Sequence, residues 1–398
     1  MVKILIADAL DKKVVDTLLE AGYEVHMDPS ITPDSLAKEI KDYNVLIVRS
    51  KAVNRAAIEA ASSLSIIVRA GAGYNTIDVD AASEKGIFVC NTPGCNSEAV
   101  AELALGHIIA CDRQICANTR FLQNGQWRKK LFLESEGLQD RYLGVIGCGN
   151  IGRIMIRFGK SLKMKIIVYS LNFRPEDAKA LGVDYAATIH DVAKVADVIT
   201  VHVAYFKDVN HHFLNAEFFN NMKDGAIFVN TSRGEIVDTA ALLDAIKTKK
   251  IKVGLDVYED EPSSSMGDFP HTELANAVCS CTCHIGASTH QAADLISDET
   301  VNVVKTYVEE GQPLHCVNID SKPVADTTVM VRHTGVFADI ITCCTKNHAT
   351  IITVNNSLLS GDKAQSLALT LKCDHKFRDE LVAIPGVLGV TYSVKPSK

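Results

Sequence analysis

The stretch Leu143-Gly144-Val145-Ile146-Gly147-Cys148-Gly149-Asn150-Ile151-Gly152 decides the architecture of this chain. Its opening positions are apolar enough for a buried strand, and Gly147, Gly149 and Gly152 follow in G-x-G-x-x-G spacing. Arg153-Ile154-Met155-Ile156-Arg157-Phe158 then reads as a helix. In such a strand–turn–helix the first glycine permits the tight turn and the second lets the backbone approach a pyrophosphate. The third lets the helix pack close to the sheet. The free N–H groups of the helix N-terminus point at the phosphates. Glycine-rich turns are common, and it is the strand before and the helix after that make this one a dinucleotide signal. Gly147, Gly149, Asn150, Ile151 and Gly152 are the positions expected to meet that ligand.

The same alternation runs outward in both directions. Residues 3–7, 45–48, 66–69 and 87–91 are short apolar strands, with helical spacing at 14–21, 33–42 and 54–61 between them. Strands alternating with helices imply a parallel sheet covered by helices. A long helix from Ser97 to about Asn118 is apolar on more than one face and is expected to be buried. Residues 124–139 are polar and aperiodic, and read as a crossing between domains. Strands at 165–170, 198–203, 226–231, 253–258 and 277–284 then form a second series. A helix from about Ser288 to Glu310 returns the chain to the first lobe. Beyond Gly311-Gln312-Pro313 the order becomes βαββαβ, with a turn signal at Ser360-Gly361-Asp362, which is a ferredoxin-like unit. The expected fold class is α/β: two doubly wound parallel-sheet (Rossmann-like) domains plus a small C-terminal ferredoxin-like domain. The expected boundaries are 1–96 with 288–320, then 97–287, then 321–398.

The bulk numbers narrow the function. A chain of 398 residues suggests two or three domains, and 47% hydrophobic with 22% charged residues is an ordinary globular composition. A net charge of -7 argues against nucleic acid or an anionic membrane as partner. Asp8 interrupts the first apolar run too early for a secretory signal, and no run approaches the length of a membrane span. The 12 cysteines are scattered without a disulfide framework, so reduced thiols and a cytoplasmic location are expected.

Chemistry gathers at the ends of the expected strands, where open α/β sheets bind ligands. The motifs are Asn230-Thr231-Ser232-Arg233-Gly234, Gly254-Leu255-Asp256-Val257-Tyr258-Glu259-Asp260-Glu261-Pro262 and His284-Ile285-Gly286-Ala287-Ser288-Thr289. A guanidinium such as Arg233 binds a carboxylate bidentately and polarises a neighbouring carbonyl. Imidazole is the usual group for exchanging a proton near neutral pH, which singles out His284. Glu261 is placed to hydrogen-bond His284, fix its tautomer and raise its pKa, as an orienting acid does in a triad. Asp256 reads as mid-strand, a costly place for an unpartnered carboxylate. Nearer the N-terminus, Val48-Arg49-Ser50 and Arg69-Ala70-Gly71-Ala72-Gly73 each follow a strand. Gly71 and Gly73 allow backbone N–H groups to approach an anion, and the fork of Arg49 suits a phosphate.

With these motifs the chain resembles the D-2-hydroxyacid dehydrogenases over nearly its whole length, and within them the phosphoglycerate dehydrogenase branch. The resemblance implies a catalytic set in which Arg233 anchors the acid, His284 removes the hydroxyl proton and Glu261 tunes His284. Hydride then leaves C2 for a nicotinamide. It implies that Val203, Thr231, Asp256 and Gly286 lie against the cofactor, with Asp256 accepting from the nicotinamide carboxamide. Arg49, Ser50, Arg69, Ala72 and Gly73 would grip the phosphate and carboxylate of the substrate. The C-terminal unit resembles an ACT domain, which implies either an L-serine effector or contacts in a homodimer or homotetramer.

Several positions depart from the family pattern. The acid that holds the ribose hydroxyls of NAD is replaced by Ser170, 18 residues beyond Gly152, with Asn172 and Arg174 downstream. That combination accepts a 2′-phosphate, so NADP stands beside NAD as the expected cofactor. His202-Val203-Ala204-Tyr205-Phe206 replaces His-x-Pro-Leu-Thr, and Cys283 replaces the proline before His284. Cys279, Cys281 and Cys283 invite a metal reading, but on a strand they share one face and lack C-x-x-C spacing, so no metal is expected. Arg332-His333-Thr334-Gly335-Val336 lacks the asparagine and proline of the ACT ligand turn, and Thr350-Ile351 replaces its Asn-Ile. The expected activity is oxidation of 3-phospho-D-glycerate to 3-phosphohydroxypyruvate. The alternatives are a glyoxylate/hydroxypyruvate reductase, favoured by Ser170 and Arg174, and a dinucleotide-sensing corepressor.

Overall fold

A computed structural model describes residues 1–262, 266–319, 325–359, 364–373 and 375–394. The chain divides into two compact units, Met1–Asn318 and Ile319–Lys398. The first contains two parallel sheets. Strands β1 (Lys3–Ile6), β2 (Glu24–Met27), β3 (Val45–Val48), β4 (Ile66–Arg69) and β5 (Phe88–Asn91) form one, in the order β2-β1-β3-β4-β5. The other is built from β6 (Tyr142–Ile146), β7 (Lys165–Tyr169), β8 (Asp184–Tyr185), β9 (Val198–Val201), β10 (Ile227–Asn230), β11 (Lys252–Leu255) and β12 (Ser280–Cys281), in the order β12-β11-β10-β9-β6-β7-β8. The central strands are buried at every position, as a sheet covered on both faces requires.

The long helices pack where the alternation implies. Helix Ser97–Arg113 lays Ala101, Ala104 and Ile108 against Val145, Val198 and Val229 of the second sheet. Helix His290–Glu310 returns to the first sheet, with Ile296, Val303 and Val304 against Ile6, Ile66 and Val68. No helix among the described residues is long and apolar enough to cross a membrane.

Three expectations need correction. The helix from Ser97 does not continue to Asn118: it stops at Arg113, Gln114 takes left-handed backbone (φ 51°), and a new helix runs Ile115–Gln123. Its end is held by Asp112, which is 1% exposed and accepts from Arg141 Nη1 at 3.2 Å and from the Gly137 N–H at 3.2 Å. The strands of the second sheet end earlier than their apolar runs, because the chain turns into loops at their C-terminal ends. Asp256 therefore stands one residue beyond β11 rather than mid-strand, its N–H donating to Asn230 O at 3.0 Å. The strand expected at 277–284 shrinks to Ser280–Cys281, leaving Cys279 and Cys283 outside it. Two short edge strands, β2 and β8, were not foreseen. Both are largely exposed and carry no apolar run to reveal them.

The second unit is βαββαβ. Strands β13 (Thr327–His333), β14 (Thr350–Leu358), β15 (Gln365–Lys372) and β16 (Val387–Val394) form an antiparallel sheet in the order β14-β15-β13-β16, with helices Phe337–Lys346 and Arg378–Val382. Val329 and Val331 alternate inward to meet Ile340, Leu367, Leu369 and Phe377. The turn expected at Ser360-Gly361-Asp362 lies outside the described residues.

Candidate active site

The C-terminal strand ends of the two parallel sheets surround a cavity of about 800 Å³. Arg49 and Arg69, which follow β3 and end β4, line it from the first sheet. Thr231, Arg233, Asp256, His284 and Gly286 line it from the second, together with Ile151 and Val203.

Each arginine is placed by its local backbone. The buried Asp8 carboxylate accepts the N–H groups of Arg49 (2.7 Å), Ser50 (3.2 Å) and Lys51 (3.1 Å), which fixes the turn that carries Arg49. Ser50 is thereby diverted: its hydroxyl donates to Asp8 Oδ1 at 3.1 Å, and it does not line the cavity. Arg233 extends from the loop after β10, donating to Ser232 O at 2.7 Å and to Asn75 Oδ1 at 3.5 Å on the opposite side. The absence of side chains at Gly71 and Gly73 leaves room for the Arg69 and Arg233 guanidinium groups. A Cβ at Gly71 would overlap the Arg69 guanidinium, and one at Gly73 would overlap Arg233 Nη2. Ala72 and Gly73 complete the wall between the two.

The arginines repel one another. Burial, and then the charges of Arg233 and Arg49, pull the Arg69 guanidinium down to about 10, and its buried Nε has no partner among the described residues. Burial likewise lowers Arg233, against the pull of Glu235 and Glu261. Asp8 opposes this shift at Arg69, but buried cations held well below their usual range still suit an anionic ligand.

On the other wall, His284 Nδ1 lies 2.6 Å from Glu261 Oε2. Glu261 also accepts the Tyr258 N–H at 2.9 Å. Burial pushes the Glu261 carboxyl up, but its hydrogen bond to His284, the His284 charge and the Tyr258 N–H outweigh this and leave it below the usual range. A carboxylate only accepts, so Nδ1 carries the hydrogen and Nε2 is left to take a proton. His284 sits at φ 52°, left-handed backbone that is uncommon outside glycine. Asp256 holds it there. Its carbonyl accepts the His284 N–H at 2.8 Å, and its carboxylate accepts the N–H groups of Ile285 (2.9 Å) and Gly286 (2.8 Å) and the Thr282 hydroxyl (2.6 Å).

The glycine turn behaves position by position. Gly147 (φ 98°) stands against the backbone of His202, where any Cβ would collide, and Gly152 stands against the Gly147 carbonyl. A Cβ at Gly149, by contrast, would meet open space. The Asn150 amide faces Gly94 across from the first sheet, whose Cβ would lie 3.0 Å from Nδ2. Ser170 and Arg174 lie apart from the cavity, and Arg174 Nε is 3.6 Å from Asp177. An incoming 2′-phosphate would compete with that carboxylate.

The loop His202-Val203-Ala204-Tyr205-Phe206, which departs from the family pattern, lines the cavity, and so do Tyr74, Asn75 and Lys207, for which the sequence carried no signal. His202 directly follows β9. Its Nε2 is 2.8 Å from Thr200 Oγ1, while its buried Nδ1 has no partner among the described residues. Burial pushes its imidazole down to about 3.

Residues 105–286 match the model of the D-isomer specific 2-hydroxyacid dehydrogenase, NAD binding domain. The chain is 39% identical over 299 residues to a hydroxypyruvate reductase of Thermotoga maritima, covering 75% of this chain and 95% of that one. The chain belongs to the D-isomer specific 2-hydroxyacid dehydrogenase family. It is also 38% identical over 325 residues to a D-3-phosphoglycerate dehydrogenase of Methanocaldococcus jannaschii, covering 81% of this chain. This chain spans only 60% of the length of that relative. Among solved structures it is similar to a D-lactate dehydrogenase of Aquifex aeolicus complexed with NAD and lactic acid, with TM-score 0.69 and 26% identity, over 80% of this chain and 100% of that one. The residues present fit the family's dinucleotide. Open space beside Gly149, and the buried, unpartnered Thr231 Oγ1 and His202 Nδ1, supply room and polar atoms for it.

Two outcomes follow from this geometry. Gly73→Ala displaces the Arg233 guanidinium without touching the core, so kcat/KM for a D-2-hydroxy acid falls about tenfold or more while the melting temperature stays near wild type. Steady-state kinetics beside a thermal melt read both. His202 is neutral in the fold, with a pKa below its unfolded value of 6.5. Its contribution to stability is therefore complete above pH 6.5 and lost as pH falls towards 3. Between pH 7 and pH 5, His202→Gln should lose about 2 kcal/mol less stability than wild type in urea unfolding.

Proposed function

We propose that the chain is an NAD-dependent dehydrogenase of a small phosphorylated D-2-hydroxy acid, oxidising 3-phospho-D-glycerate to 3-phosphohydroxypyruvate. The observation that carries this reading is the convergence of Arg49, Arg69 and Arg233 on one cavity, with Arg69 lowered by burial and then by the charges of Arg233 and Arg49. A single carboxylate balances one guanidinium. A carboxylate together with a phosphate brings enough negative charge for all of them. The name of the Methanocaldococcus jannaschii relative supports the same substrate.

In this reading Arg233 binds the substrate carboxylate and polarises the oxygen on C2, while Arg49 and Arg69 hold the phosphate beside Ala72 and Gly73. Glu261 keeps the Nδ1 hydrogen on His284, so that His284 Nε2 accepts the hydroxyl proton as the alcohol becomes a carbonyl. The dinucleotide, when bound, supplies the hydride acceptor. Gly147, Gly149, Asn150, Ile151 and Gly152 hold its pyrophosphate, and Val203, Thr231, Asp256 and Gly286 hold its nicotinamide end. Ser170 and Arg174 meet its adenosine ribose, where NADP would be distinguished from NAD. Residues 1–96 and 288–320 bind the acid, residues 97–287 bind the dinucleotide, and residues 321–398 serve as an ACT-like unit for L-serine or for contacts in a homodimer or homotetramer.

A second reading, hydroxypyruvate or glyoxylate reduction, is favoured by the Thermotoga maritima relative, nearly all of which this chain covers. Cofactor turnover with 3-phosphoglycerate, D-glycerate, D-lactate and D-2-hydroxyglutarate, and with glyoxylate in reverse, separates the two. We expect 3-phosphoglycerate to give the highest kcat/KM with NAD+, and Arg49→Ala to raise its KM about tenfold or more while leaving that for D-glycerate within about twofold. Preference for glyoxylate, with Arg49→Ala neutral, would make the chain a reductase instead.

A further inference from the structure

We propose that His107, Ser280 and Thr282 form a buried hydrogen-bond relay that aims the Asp256 carboxylate at the nicotinamide end of the cofactor, with His107 as the positioning residue. The proposal rests on the assignment of Asp256 to that end of the dinucleotide.

His107 lies in helix Ser97–Arg113, is 2% exposed, and faces β11 at Gly254. A Cβ at Gly254 would come within 2.8 Å of His107 Cβ, so glycine there makes room for the ring. His107 Nδ1 is 2.9 Å from Ser280 Oγ, and Nε2 is 3.1 Å from Thr282 Oγ1. Thr282 Oγ1 is 2.6 Å from Asp256 Oδ1.

The direction of every bond in this chain follows from its end. The Asp256 carboxylate only accepts, so Thr282 spends its one hydroxyl hydrogen there. Thr282 must then accept from His107 Nε2–H, which leaves Nδ1 to accept from the Ser280 hydroxyl. A neutral imidazole has one donor and one acceptor and satisfies both. Burial lowers the His107 pKa against the pull of Asp256, which keeps the ring neutral. The Cys116 thiol closes the chain 3.7 Å from Ser280 Oγ.

This arrangement also sets what Asp256 has left to offer. A carboxylate has about four acceptor sites. Thr282 and the Ile285 N–H occupy Oδ1, and the Gly286 N–H takes one site on Oδ2. The remaining site on Oδ2 suits a carboxamide N–H, and Asp256 lines the cavity. Without the relay the Thr282 hydroxyl is free to rotate and the carboxylate loses one of its anchors. The glycine turn follows β6, separated from β11 in the sheet by β9 and β10. Loosening Asp256 therefore weakens the nicotinamide end and spares the adenosine end.

Isothermal titration of the full chain with NAD+ and with ADP-ribose, which lacks the nicotinamide, tests this. Thr282→Val and His107→Leu should each raise the Kd for NAD+ about five- to tenfold and leave that for ADP-ribose within about twofold. The double variant should be no weaker than the weaker single one, since both cut the same chain. His107→Gln keeps a donor for Thr282 and should recover most of the NAD+ affinity. An unchanged NAD+ affinity in Thr282→Val, an equal loss for both ligands, or multiplying effects in the double variant would overturn the proposal. A wild-type chain that binds neither ligand would sink the dinucleotide assignment itself.

Discussion

The buried carboxylate of Asp256 is the constraint on which the rest of the site depends. A carboxylate at 1% exposure is tolerated only when its acceptors find donors, and here the chain supplies three of them from its own next strand end. The N–H groups of Ile285 and Gly286 and the Thr282 hydroxyl converge on it, while its carbonyl takes the His284 N–H. Those bonds hold His284 in a left-handed backbone that costs about 1 kcal/mol or more outside glycine. The strain buys a defined direction for the imidazole, whose Nδ1 meets Glu261 at 2.6 Å.

The facing wall is organised by repulsion rather than by satisfaction. Arg49, Arg69 and Arg233 are brought to one cavity by an Asp8-capped turn, a strand end and a loop, and glycines at 71 and 73 leave space for two of the guanidinium groups. The Asp8 charge offsets this repulsion only in part, and the Arg69 Nε stays unpartnered among the described residues. A proton acceptor on one side and a concentration of cations on the other suit an anionic substrate with a hydroxyl between them.

Much of this was legible in the chain itself, because it was written in local patterns. The glycine spacing, the apolar strands of the central sheet and the motifs at strand ends are local signals, and the parallel sheets and the βαββαβ unit follow from them. The features that escaped are set by distant contacts. The helix break at Gln114 depends on Asp112 meeting Arg141, 29 residues away. The edge strands β2 and β8 lack apolar runs because they face solvent. A glycine in a sequence does not show which neighbours its missing side chain makes room for, and at Gly71 and Gly73 these include the Arg69 and Arg233 guanidinium groups. His107 and Thr282 meet across 175 residues, beyond the reach of any spacing rule.

The most direct measurement is the turnover of Asp256→Asn with the chain's best substrate, beside its thermal stability. An amide keeps the volume but presents an NH₂ where the Ile285 or Gly286 N–H now donates, so the turn that carries His284 loses its anchor. kcat/KM should fall about a hundredfold while the protein remains folded. A variant that turns over at the wild-type rate, with an unchanged melting temperature, would show that Asp256 does not organise the site.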